Sequence, residues 1–184
     1  YSRAVARFRE LSAIIPTYDI FEENNTAYTI TEWVDSITLN EFIRRSGGSI
    51  NWNTARPLFM PVLSTLSSLH AAGIRHLGIC PENLLIMRNG KMKLSGFCIE
   101  AVRQNDTDIK PELYTGCAAV EQYVMGYNPN EATDVYGFAA SLFFALTGNL
   151  PMDALKRRTD GRLLIPTTIL RQLPPHVVSA LANA

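Results

Sequence analysis

The chain has 184 residues, 47% of them apolar and 18% charged, so it can bury one sizeable core and is not disordered. Lys and Arg together number 17, as do Asp and Glu, which leaves no basic field to draw in DNA, RNA or an anionic membrane. The longest apolar run, residues 136–146, is interrupted by Gly137 and Ser141 and is too short for a bilayer span.

The opening Tyr1-Ser2-Arg3 has no secretory character, and three cysteines, Cys80, Cys98 and Cys117, make no disulfide framework. The odd count points to a reducing compartment, so a cytoplasmic location is expected. Residues 2–12 place Val5, Phe8 and Leu11 on one face, which predicts a helix. Residues 14–21 and 27–34 are rich in β-branched and aromatic side chains and flank Glu22-Glu23-Asn24-Asn25-Thr26, the composition of a hairpin turn. Thr38 is a good N-cap for a helix running to about Arg45, where Ser46-Gly47-Gly48-Ser49 ends it. Asn53 or Thr54 is expected to cap a longer helix reaching His70, with Leu58, Val62, Leu63, Leu66 and Leu69 on one face. Pro57 suits its first turn and Pro61 should bend it.

Two short strands, 83–87 and 92–94, are expected across Arg88-Asn89-Gly90. Residues 96–129 have no clear period and read as a long irregular segment. Residues 134–146 form an all-round apolar helix, 149–172 a loop with short helical turns, and 176–182 a terminal helix after Pro174-Pro175. This order lacks the alternation of a doubly wound sheet, and the class is α+β.

The stretch from Gly73 through His76-Leu77-Gly78-Ile79-Cys80-Pro81-Glu82-Asn83 to Ile86 resembles the catalytic loop of Ser/Thr protein kinases, H-R-D-x-K-P-E-N. Lys93-Leu94-Ser95-Gly96-Phe97 stands where that family has its metal-binding D-F-G. Gly116-Cys117-Ala118-Ala119-Val120-Glu121-Gln122-Tyr123 resembles the close of the activation segment, and Asp134 to Pro151 the buried helix after it. The resemblance covers nearly the whole chain and is similar in flavour to the bacterial eukaryotic-like kinases. It implies a kinase-like fold in which residues 1–34 are part of the small lobe and the hinge, and 35–184 are the mainly helical large lobe. No phosphate loop or lysine strand is recognisable, so a trimmed longer protein is expected.

The departures bear on function. In the family the catalytic-loop aspartate orients the substrate hydroxyl and the D-F-G aspartate holds Mg²⁺. Those positions are Gly78 and Gly96 here, the catalytic lysine is Cys80, and the arginine that answers a phosphorylated loop is Leu77. Tyr114 stands at the position of a threonine and Val120 at that of a proline. The resemblance keeps the structural positions: His76 and Phe97 in a stacked column, Asn83, Glu121, and Asp134 as the anchor of the loop backbone. It implies an adenine pocket made by Thr31, Glu32, Trp33, Val34 and Leu85, with Thr31 as a small gatekeeper and Trp33 in hinge packing. Cys80, Cys98 and His76 match no zinc spacing, and buried thiols are expected.

These readings imply a catalytically inactive kinase-like domain acting as a scaffold or allosteric partner for other proteins in phosphorylation signalling. No metal and no required cofactor are expected. The alternatives are a sensor that binds ATP without metal, or a weakly active enzyme recruiting Asp106, Asp108 or Asp134.

Overall fold

The computed structural model describes residues 2–97, 113–123, 130–160 and 165–184. Helix α1, Ser2–Ala6, is shorter than the periodicity predicts. Beyond it the N–H groups of Phe8, Leu11 and Ile14 donate to the carbonyls of Val5, Phe8 and Leu11, a spacing of three. The repeat Val5, Phe8, Leu11 is itself a period of three, so tight turns serve it better than a 3.6-residue helix.

Strands β1, Thr17–Glu23, and β2, Thr26–Thr31, pair antiparallel from Thr17 opposite Thr31 to Glu23 opposite Thr26. Asn24 and Asn25 turn the hairpin with φ of 51° and 60°, the left-handed pair that a two-residue turn requires. The second strand stops at Thr31, short of the expected Val34. There the Glu32 N–H donates to the Pro16 carbonyl at 2.8 Å.

A second sheet escaped the sequence reading in part. The three-residue strand β3, Ser36–Thr38, pairs antiparallel with β4, Leu84–Met87, and β4 with β5, Met92–Leu94. Helix α2, Leu39–Arg45, starts at the expected cap, where the Thr38 hydroxyl accepts the Glu41 N–H. Helix α3, Trp52–Ala71, is capped by Asn51, two residues earlier than expected, and continues through Pro57 and Pro61. Asn51 wins because its carboxamide oxygen reaches the Thr54 N–H at 3.0 Å while Asn53 is already helical.

A 3-10 turn, Val120–Tyr123, precedes helix α4, Glu131–Thr147. Asn130 and Thr133 form a capping box at its start, and Gly148 ends it at a φ of 76°. A Cβ on Gly148 would overlap the Gly48 carbonyl, so this close approach needs glycine. Short helices α5, Ala154–Asp160, and α6, Thr167–Leu170, lead to α7, Pro175–Asn183.

The main core lies between α2, α3, α4, α7 and the three-stranded sheet, with Leu39, Phe59, Val62, Leu84 and Ala145 fully buried. Phe59 and Phe138 meet edge to face at 5.5 Å between ring centres. Leu63, expected on the core face of α3, is 39% exposed, and Ala55, Phe59 and Thr65 are buried instead. The result is the α+β arrangement expected from the order of elements, with a hairpin beside a largely helical body. No described helix is long and apolar enough to cross a membrane.

Candidate functional site

The loop after α3 is held by one carboxylate. Asp134, in the first turn of α4 and 1% exposed, accepts the Leu77 N–H at 2.7 Å and the His76 N–H at 2.8 Å. The Nε2 of His70, in the last turn of α3, meets the same Asp134 carboxylate at 2.8 Å. A buried charge is tolerated only when its lone pairs are filled, and three partners fill these.

Leu77 sits at a φ of 60°, a conformation that strains any residue but glycine. Two side chains from other segments fix it. Asp134 takes its N–H, and Gln122 Nε2 donates to its carbonyl at 3.0 Å. Gln122 also accepts the Ala119 N–H at 3.0 Å, so one carboxamide ties the 3-10 turn to the loop. Neither Gln122 nor His70 was singled out from the sequence. A polar residue at the end of an amphipathic helix and another inside a tight turn carry no local signal of a partner this far along the chain.

His76 is fully buried and its ring centre lies 4.1 Å from that of Phe97, the two ring planes tilted by 36°. Its Nδ1 accepts the Gly78 N–H at 3.2 Å, which puts the proton on Nε2. Among the described residues, Nε2 closes no hydrogen bond. Burial pushes the imidazole down to about 4, against the opposing pull of Asp134 and of the Ser95 backbone.

The Gly78 backbone is buried, and its carbonyl accepts Asn83 Nδ2 at 2.7 Å. The Asn83 carbonyl in turn takes the Ser95 N–H at 2.9 Å and the Ser95 hydroxyl at 3.1 Å. Asn83 thus ties the start of the catalytic-type loop to the segment after β5. Its carboxamide lies against Gly96, where the φ is 66° and a Cβ would overlap the Asn83 side chain.

Mg²⁺, which the family uses at this place, is a hard cation wanting several oxygen ligands, carboxylates above all. Gly78 and Gly96 supply none, and the Asn83 carboxamide is packed on Gly96 and bonded to Gly78, so this donor set does not fit the ion. Among the described residues no three His, Cys, Asp or Glu side chains gather to hold a metal. Cys98, Asp106 and Asp108 lie outside the described residues.

Cys80 and Cys117 are 2% and 3% exposed and share a small cluster with Ala140, Tyr114 and Tyr136. Burial pushes the Cys117 thiol up to about 12, with Cys80 adding to the rise and the Ser141 hydroxyl opposing it. Both are packing thiols. Glu121 is tied to α4 by the Thr133 hydroxyl, which donates to its carboxylate.

Of the adenine-pocket residues, Thr31 is exposed at the end of β2, while Glu32 and Val34 are half-buried in the segment joining the two sheets. Leu85 is half-buried in β4. Trp33 is 91% exposed, which overturns the reading of its ring as hinge packing. Residues 32–35, which join the two sheets, have no regular secondary structure and leave the indole to solvent among the described residues.

Comparison with known proteins agrees with this geometry. A protein kinase domain matches residues 3–176. The chain is 28% identical to a probable serine/threonine-protein kinase PknB of Lactococcus lactis over 198 residues, covering 98% of the chain and 31% of that protein. It is 25% identical to the serine/threonine-protein kinase PknL of Mycobacterium tuberculosis over 191 residues, covering 100% of the chain and 47% of that protein. The solved structure described as "PpkA-294 apo form" superposes with a TM-score of 0.79 at 25% identity, over 100% of this chain and 66% of that one. The chain therefore spans about a third to a half of the length of these curated relatives.

Proposed function

The chain belongs to the protein kinase domain family, and we propose that it is a member that transfers no phosphate and works by binding other proteins in phosphorylation signalling. The observation that carries this reading is the Asn83 side chain folded onto Gly96 and bonded to the Gly78 carbonyl. In-line phosphoryl transfer needs a residue to orient the hydroxyl and a metal to neutralise the phosphates. The first position is a glycine with no side chain. The second is a glycine whose missing side chain leaves space that Asn83 has taken.

The groups that hold the loop support the same reading, because they are complete. Asp134 anchors the backbone, the His76 ring lies against that of Phe97, and Gln122 clamps the 3-10 turn onto Leu77. A framework kept in order around an empty reaction centre suits a surface presented to partners. ATP held without metal against Leu85 and the strap at Glu32 and Val34 is compatible with this role.

Thermal unfolding with and without millimolar ATP, each with and without Mg²⁺, tests the reading. A bound ligand at a hundred times its dissociation constant stabilises by about 2.7 kcal/mol, a shift of several degrees for a domain of this size. The expected result is that Mg²⁺ adds nothing to whatever shift ATP gives. A shift that requires Mg²⁺ would mean that Asn83 swings off Gly96 to serve a metal, and the proposal would fail.

A further inference from the structure

Two buried thiols converge beside the emptied reaction centre. Cys80 stands in the catalytic-type loop, and Cys117 in the turn just before Val120–Tyr123. Both are thiols, and they share one small buried cluster with Ala140, against Tyr114 and Tyr136. The two segments meet over one point of α4. A Cβ on Gly137 would stand 2.7 Å from the Ile79 carbonyl oxygen and 3.4 Å from that of Cys117, so the glycine lets both segments close in. Cys80 is the next residue after Ile79. Burial raises the Cys117 thiol most, and the next contribution is the charge of Cys80, an effect that falls with distance and so sets the two sulfurs near each other.

A second observation gives access. Cys117 lines a cleft of about 220 Å³ including its open mouth, with Leu77, Gly78, Ile79 and Tyr114 among its walls. Gly78 puts no side chain into this space, and a molecule as small as hydrogen peroxide can approach the thiol from the mouth.

We propose that Cys80 and Cys117 are a site of reversible oxidation, closing a disulfide that staples the catalytic-type loop to the close of the activation-type segment when a hydroperoxide is present. One sulfur, as its thiolate, attacks the O–O bond of hydrogen peroxide, which breaks to release hydroxide and leaves a sulfenic acid. The second sulfur attacks the first, the S–S bond forms, and the sulfenic oxygen leaves as water. In sum, two thiols and one peroxide give one disulfide and two waters, and the two electrons lost by sulfur reduce the peroxide. Burial keeps Cys117 protonated, so the pair stays as packing thiols until oxidant arrives. Transient disulfides of this kind belong to reducing compartments, where they act as sensors. The Gln122 carboxamide already ties the same two segments through the Leu77 carbonyl, and the disulfide adds a covalent link beside it. The inference stands apart from whether the domain transfers phosphate.

Disulfide geometry is narrow, so forming the bond in the folded protein tests the site directly. The natural protein is treated with hydrogen peroxide, remaining thiols are blocked with iodoacetamide, and the digest is read by mass spectrometry without reductant. The expected product is a Cys80–Cys117 peptide pair, two hydrogens lighter than its separate peptides, that dithiothreitol splits. The same treatment should raise the midpoint of thermal unfolding by several degrees, and dithiothreitol should reverse the rise. Cys117→Ala should lose link and shift together, while Cys98→Ala keeps both. The mass reading on the natural protein needs no variant, so a substituted chain that fails to fold leaves the test intact. A link from Cys98 to either residue, a link between two copies, a link that forms only in urea, or none at all overturns the site. So does oxidation of either thiol straight to sulfinic acid, or a midpoint that does not rise.

Discussion

His76 shows what burial does to a single side chain. An imidazole free in the unfolded chain titrates near 6.5, whereas in the folded chain it titrates at about 4. Between those values the unfolded chain takes up a proton that the folded chain refuses. Stability therefore rises with pH across this window and is lost as pH falls through it, by about 3 kcal/mol in all. Urea unfolding of the natural protein should show a steeper fall in midpoint between pH 7 and pH 4.5 than that of His76→Phe, whose aromatic ring keeps the contact with Phe97. Equal slopes would assign the acid sensitivity to other groups. At this scale the resemblance pointed to His76, Asp134 and Phe97, and the Asp134 carboxylate accepts the His76 and Leu77 N–H groups. Asn83 was legible as a motif residue, but not as the filler of the space at Gly96, because that depends on a backbone twist at φ 66° which the glycine alone does not announce. Trp33 misled for the opposite reason: a large apolar ring reads as packed, and only tertiary position shows that it is 91% exposed.

At the scale of elements, caps and turns did better than periods. Thr38 and the Asn24-Asn25 turn fell where their chemistry put them. The first helix was overextended because a repeat of three serves successive tight turns as well as a helix. Strand β3 was missed because its three residues are too few to show alternation, and it exists through its pairing with β4. The start of α3 was displaced because Asn51, Asn53 and Thr54 are all competent caps by composition. That choice can be measured. Asn51→Ala should cost about 1 kcal/mol in urea unfolding, since it frees the Thr54 N–H. Asn53→Ala, on an exposed helical residue, should stay within about 0.5 kcal/mol. The reverse order would move the cap to where the composition alone had it.

Over the whole molecule, the fold and the reaction centre carry different messages. Helices α2, α3, α4 and α7 and the three-stranded sheet make the core of a protein kinase domain, and Asp134 and Gln122 hold its loop in the strained shape at Leu77. The family resemblance made that architecture legible from end to end, because it rests on motifs spread along the chain in order. The exposure of Leu150, Met152 and Leu155 was not legible, because they read as ordinary apolar residues in a loop-like stretch. The central claim concerns what the centre does. The measurement that tests it most directly is incorporation of radiolabelled phosphate from ATP, with Mg²⁺ or Mn²⁺, by the longest natural protein that carries this chain, beside its Asn83→Ala variant. The account predicts no incorporation above background in either protein. Metal-dependent incorporation that Asn83→Ala abolishes would contradict it, because Asn83 would then be a working metal ligand and the domain an active kinase.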